Sequence, residues 1–327
     1  MAVKGEACTN FDALPLPGLT TIGFMPGSGS SEVQLTSPNG RPMNHRHFFG
    51  SVLALTFLGC APSASEAAPP FTPTRLSVVV KGSGPDVILI PGLTASRDVW
   101  SGTVAALPGY RYHLVQVAGF AGSPARGNAG GNVVAPVAEE ISRYIAANRL
   151  ERPAVVGHSM GGTITMMLAA RHPSRIGKAM VVDMLPQPAG LVGSSPAGIS
   201  GLAETLRNIG STPGGRRLIG SVIGMFGSEK VDSRSDPDVV ARATHELAGI
   251  DLTAELPKIK APLTVVYATP ARGDYVDPAE ITRGYRAAYA RARTAKLVPI
   301  ANSGHMIMYA QPKAFQAALK SFLRTSP

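Results

Sequence analysis

"PAVVGHSMGGTITMMLAARHP" runs from Pro153 to Pro173 and holds Ser159 among small neighbours. The apolar run Ala154–Val156 reads as a short buried strand, and Thr163–Arg171 reads as a helix that stops before Pro173. Only a few residues separate the two, so the connection must be a sharp turn. Gly157, Gly161 and Gly162 provide positions free of a Cβ that would collide with nearby backbone. Gly157-His158-Ser159-Met160-Gly161 is therefore a G-x-S-x-G sequence in the strand–turn–helix setting that gives the motif meaning. Such an elbow holds the serine in a strained backbone conformation. Its hydroxyl then stands at the top edge of the sheet, near the positive end of the following helix.

A serine hydroxyl is a weak nucleophile until a base takes its proton. Five histidines follow residue 68. His113 falls within a strand, His172 ends a helix and His245 lies in a helical run. His158 sits inside the elbow, with its side chain expected to point away from the attack site. His305, in "IANSGHMIMYAQP", follows the last apolar strand on a glycine-containing loop, and the base is assigned to it. The acid that orients an imidazole is sought after the penultimate strand, in "LTVVYATPARGDYVDPAE". Asp274, four residues before Pro278, is favoured there, while Asp277 reads as a helix cap. Asp183, closing an earlier strand, is the other candidate. Two backbone N–H groups should face the developing oxyanion: that of Met160, and that of Leu93 in "PGLT".

Outward from the elbow, apolar runs at Arg75–Val80, Asp86–Ile90, Tyr110–Val117, Lys178–Val182, Leu263–Ala268 and Ala295–Ile300 read as strands. Helical spacing marks Val133–Asn148, Ile281–Ala292 and Lys313–Leu323. Strands alternating with helices predict an α/β fold, with a parallel sheet covered on both faces and its functional groups at the carboxyl ends of the strands. Between residues 184 and 257 the rhythm changes. "GISGLAETLRNIG", "RRLIGSVIGMF" and "PDVVARATHELAGI" follow one another without a strand, which predicts a helical cap inserted before the penultimate strand. The core is then 69–183 with 258–327.

The 327 residues are 44% hydrophobic and 16% charged, suited to a globular domain with a sizeable core. The net charge of +10 comes from scattered basic residues. Arg283, Arg286, Arg291, Arg293 and Lys296 approach a cluster, read as a solvated helix face, with a patch for anionic lipid or envelope polymer as the alternative. No aromatic-rich basic motif points to a nucleic-acid partner. Cys8 and Cys60 both precede the core, so no disulfide framework is expected within it.

Residues 43–68, "MNHRHFFGSVLALTFLGCAPSASEAA", pass from a basic start through a short apolar run to small residues. That order matches a secretory signal peptide, and the run is too short to span a bilayer. Residues 1–42 read as an upstream extension whose Gly, Pro and Ser content predicts disorder. Two processing routes are open: cleavage near Ala67 or Ala68, or lipidation of Cys60 in the lipobox-like "FLGC". Both predict a periplasmic or secreted protein, touching membrane only through the signal peptide or a lipid on Cys60.

Taken together, "IPGL", "GHSMGG", "GDYVDP" and "SGH" resemble the α/β-hydrolase superfamily over Arg75 to Arg324. The resemblance implies an eight-stranded, mostly parallel sheet with helices on both faces, a helical cap, a Ser159–His305–Asp274 triad, and neither cofactor nor metal. Two loops depart from the family pattern. Pro91-Gly92 stands where His-Gly is usual, and Ala118 of "VAGFAGSP" stands where an aspartate is usual, with the extended run "ARGNAGGN" after it. The expected activity is cleavage of a small carboxylic ester with an apolar portion, through an acyl-enzyme on Ser159. Met306, Ile307 and Met308 are expected to line the pocket. The same scaffold could instead cut a C–C bond beside a ketone, a lactone or an amide, or serve as a non-catalytic binding protein.

Overall fold

The computed structural model describes residues 71–192, 234–271, 277–293 and 295–325. The signal-peptide and lipobox stretch, the helical runs at 198–210 and 216–226, and Asp274 lie outside the described residues.

Among the described residues, seven strands form one sheet: β1 (Leu76–Lys81), β2 (Asp86–Ile90), β3 (Arg111–Val117), β4 (Ala154–His158), β5 (Lys178–Val182), β6 (Leu263–Thr269) and β7 (Ala295–Ala301). Their order is β1-β3-β2-β4-β5-β6-β7. Only β1 runs antiparallel to its neighbour. These seven are the seven apolar runs legible in the sequence. The eighth strand that the superfamily resemblance implied is absent among the described residues.

The helices are α1 (Ser101–Ala106), α2 (Val134–Ala147), α3 (Met160–Arg171), α4 (Pro237–Gly249), α5 (Pro278–Ala288), α6 (Ile307–Ala310) and α7 (Pro312–Arg324). Successive strand residues point to opposite faces, which divides the core in two. Ile88, Ile90, Val155 and Val181 pack with α2, α3, α4 and α5. Val87, Leu89, Val156 and Val182 pack on the other face with Trp100, Phe315, Leu319 and Phe322. The central strands β2, β4 and β5 are buried almost throughout, as their unbroken apolar runs require.

Chain order reverses at β2. The next strand, β3, lies on one side of it and β4 lies on the other. In an open parallel sheet such a reversal opens a crevice at the carboxyl ends of the two diverging strands. Here those ends carry "PGLT" after β2 and the serine elbow after β4.

The segment that begins at residue 234 is stitched to the loop after β3. The Asp236 N–H donates to the Gly119 carbonyl at 2.7 Å, and the Ala121 N–H donates to Ser235 Oγ at 3.0 Å. Gly119 has φ +91°, and a Cβ there would lie 2.7 Å from the Val239 side chain of α4. Glycine fits both the conformation and the close approach. At the far end of α4, the Glu246 carboxylate accepts the N–H groups of Val133, Val134 and Ala135 at 2.6, 2.8 and 2.8 Å. It thereby satisfies donors at the start of α2 that have no intrahelical acceptor.

Candidate active site

Sheet register assembles the site. Ile90 pairs with Gly157 and His158 pairs with Val182. The residues just beyond, Gly92, Ser159 and Asp183, therefore stand side by side at the sheet's rim. A Cβ on Gly92 would lie 3.1 Å from the Ser159 Cβ, so the loop after β2 presses directly on the elbow. Ser159 itself has φ +54° and ψ −122°, outside the regions that non-glycine residues favour. Its N–H bonds the Val182 carbonyl at 2.9 Å, while its carbonyl accepts from Gly162 at 2.7 Å. These bonds over-determine the strained turn, as persistence of such a conformation demands. The collision expected of a side chain at Gly157 is real: its Cβ would run into the Gly161 carbonyl.

His305 reaches this rim from the loop after β7. Its Nδ1 lies 2.8 Å from Asp183 Oδ2. Asp183 Oδ1 accepts the Ala268 N–H at 2.9 Å and the Tyr285 hydroxyl at 3.0 Å. Three donors thus converge on a carboxylate, a group that can only accept when ionised. Burial, followed by the charge of Asp183, pushes the Tyr285 phenol well above its usual pKa, so it stays a donor. With Nδ1–H donated to Asp183, Nε2 is the ring nitrogen that carries the lone pair in the neutral tautomer.

Of the two acid candidates, Asp183 places a carboxylate on His305 Nδ1, while Asp274 lies outside the described residues. Asp183 takes φ +50°, which turns it off the end of β5 toward the histidine loop. Asp277 caps α5 as read, accepting the Ala279 N–H at 2.9 Å. Of the expected pocket residues, Met306, Ile307 and Met308 are buried in the second core cluster with Trp100 and Phe315.

Met160 is the first residue of α3, so its N–H lacks an intrahelical acceptor. Leu93 and Thr94 occupy the middle of a tight turn closed by the Ala95 N–H on the Gly92 carbonyl at 3.2 Å. Thr94 takes φ +61° in that turn, a strained position for a β-branched residue. Both expected oxyanion donors therefore belong to the elements bounding the crevice. A cavity of about 260 Å³ is lined by Leu185, Pro186, Gln187, Thr253, Ala287 and Ala288, and none of Ser159, Asp183 or His305 lines it.

The two departures from the family loops have local explanations. Asn128, from the extended run after β3, donates to the Ala118 and Arg75 carbonyls, both at 3.0 Å, and so braces the loop where the aspartate is missing. Near Pro91, His158 Nδ1 would lie 3.0 Å from a Cβ on Gly92, so an imidazole from the elbow fills space beside that loop. Sequence reasoning set His158 aside, yet its Nε2 lies 2.9 Å from the His305 carbonyl oxygen.

Among the described residues, no group of three or more His, Cys, Asp or Glu side chains is arranged to hold a metal ion. No helix among them is long and apolar enough to cross a membrane.

Residues 85–198 match the family described as alpha/beta hydrolase fold. A pimeloyl-(acyl-carrier protein) methyl ester esterase of Aeromonas hydrophila is 35% identical over 112 residues, which span 34% of this chain and 42% of that protein. A protein of the same name from Vibrio vulnificus is 24% identical over 269 residues, covering 76% of this chain and 98% of its own. Among solved structures, the enol-lactonase of Burkholderia xenovorans LB400 superposes with a TM-score of 0.61 at 21% identity, covering 77% of this chain and 97% of its own. With its sheet order and elbow, the chain has the α/β-hydrolase fold that the family match over residues 85–198 describes. The match to the Aeromonas relative takes in less than half of that protein's length.

Proposed function

We propose that this chain is an exported serine hydrolase that cleaves carboxylic esters through an acyl-enzyme on Ser159. The observation that carries the reading is the Asp183–His305 hydrogen bond at the rim shared with the strained serine. His305 Nε2 takes the Ser159 Oγ proton as Oγ attacks the ester carbonyl carbon. The Leu93 and Met160 N–H groups stabilise the resulting oxyanion. As the tetrahedral adduct collapses, the C–O bond to the alcohol breaks and His305 returns the proton to the leaving oxygen. Water, deprotonated by the same Nε2, then attacks the acyl carbon, and Ser159 recovers its proton as the acid departs. Asp183 keeps the imidazole in the productive tautomer and stabilises its cationic form.

The ester preference draws support from the esterase names of the two relatives. An apolar acyl or aryl portion is favoured by the apolar residues Leu93 and Met160 beside the elbow. Export rests on the sequence of residues 43–68. A fluorophosphonate probe and a panel of p-nitrophenyl esters, lactones and aminoacyl amides test the reaction. Labelling at Ser159 with ester turnover is expected, and turnover confined to another class would overturn the ester assignment. Intact mass of the protein recovered from its host reports the mature N-terminus. A chain retaining residues 43–68 would overturn export.

A further inference from the structure

Resting on the reading just given, we infer that His158 is a positioning residue that tethers the loop of the general base to the nucleophile elbow through the His305 main-chain carbonyl. His158 is buried, 2% exposed, and immediately precedes Ser159. Its Nε2 lies 2.9 Å from the His305 oxygen, and the two imidazole rings are 4.6 Å apart at a tilt of 46°. Since a carbonyl oxygen only accepts, Nε2 must carry the proton. Nδ1 is then a bare lone pair, and it is the one His158 polar atom left without a partner. The ring faces Gly92, where a Cβ would lie 3.0 Å from Nδ1, so backbone on that side fixes its orientation.

The tether acts at a sensitive place. His305 is held through its side chain by Asp183 and through its own carbonyl by His158. One bond fixes the tautomer, and the other fixes the loop that carries the ring. The imidazole can donate at Nε2 without adding charge beside the base only while it is neutral. Burial, followed by the nearby His305, lowers its pKa from 6.5 to about 3. The tether therefore persists from neutral pH down to about pH 3.

The test compares His158→Leu, which keeps apolar volume but removes the N–H, with His158→Gln, whose amide N–H reaches about as far as Nε2. Ester turnover, fluorophosphonate labelling rate and thermal midpoint are measured for both and for wild type. Leu should lose about ten- to a hundredfold in kcat, because a base displaced by a fraction of an ångström transfers protons poorly. KM should hardly move, since the tether touches no substrate. Gln should recover most of the loss. A folded Leu variant with wild-type kcat, or a folded Gln variant as impaired as Leu, overturns the tether. Nitrogen-15 NMR of histidine-labelled wild type needs no variant to fold: His158 should show a protonated Nε2 and a bare Nδ1. The opposite tautomer in an active enzyme sinks the tether alone. A folded wild type that neither labels nor turns over ester overturns the serine-hydrolase reading, and the catalytic meaning of the tether with it.

Discussion

His305 Nδ1 meets Asp183 Oδ2 at 2.8 Å, although 122 positions separate them along the chain. The contact joins the loop after β7 to the end of β5, and β6 lies between those strands. Asp183 spans the gap because its carboxylate also takes the Ala268 N–H from β6, which aims it across that strand. The carboxylate thus leans away from its own strand, toward the histidine.

Exchanging this acid should cripple catalysis. Asp183→Asn is expected to lower kcat by about 10³- to 10⁴-fold, because the amide stabilises the wrong imidazole tautomer. Asp274→Asn should leave turnover close to wild type. The pair, assayed side by side with one ester, separates the two loops. The reverse pattern would return the acid to residue 274.

Ser159 should reveal its strain when the nucleophile is removed. Ser159→Gly eliminates turnover and labelling, while glycine accepts φ +54° without cost. Strained backbone of this kind stores about 1–3 kcal/mol, and the extra entropy of unfolded glycine offsets part of the relief. Urea denaturation should find the variant as stable as wild type or more so. A loss of several kcal/mol would show that the elbow is not strained.

Acid should weaken the fold through His158. In the unfolded chain the imidazole takes up a proton near pH 6.5, whereas in the native protein it stays neutral to about 3. Between those values the unfolded state binds more protons, so stability falls as pH falls. From pH 7.5 to 5 this one group costs about 2 kcal/mol by linkage. His158→Gln should lose correspondingly less stability than wild type over the same interval. Asp86, held below its ordinary value mainly by the Arg111 guanidinium, adds its own loss at lower pH in both proteins. Equal acid slopes would place a charged or solvated imidazole at residue 158.

Glu246 should matter to the fold more than to the chemistry. Its carboxylate satisfies three N–H groups at the start of α2 from a neighbouring helix. Glu246→Ala leaves them without that partner and should cost about 1–3 kcal/mol, measured by urea denaturation. The kcat of the folded fraction should stay near wild type. An unchanged urea midpoint would mean that water serves these groups equally well.

Much of this was legible before any coordinates. Each of the seven strands announced itself as an apolar run, and the elbow announced itself through its glycines, because a Cβ at Gly157 has nowhere to go. Helix α6 was not legible, since four residues carry too little periodicity. Its Met306-Ile307-Met308, read as pocket lining, lies in the core with Trp100. The role of His158 was hidden for a different reason. A side chain directed away from the nucleophile looks idle until the loop carrying His305 is seen to pass beside it.

The sequence alone determined the alternation of strands and helices, the serine elbow and the histidine loop, because those depend on local pattern and backbone sterics. That Asp183 reaches His305 was decided only in three dimensions. Asp183 and Asp274 both come just after strands in the sequence, so chain order alone does not show which one meets the histidine. The turn at Asp183 and the donors from Ala268 and Tyr285 aim its carboxylate at Nδ1, since a hydrogen bond depends on direction and distance rather than on position along the chain.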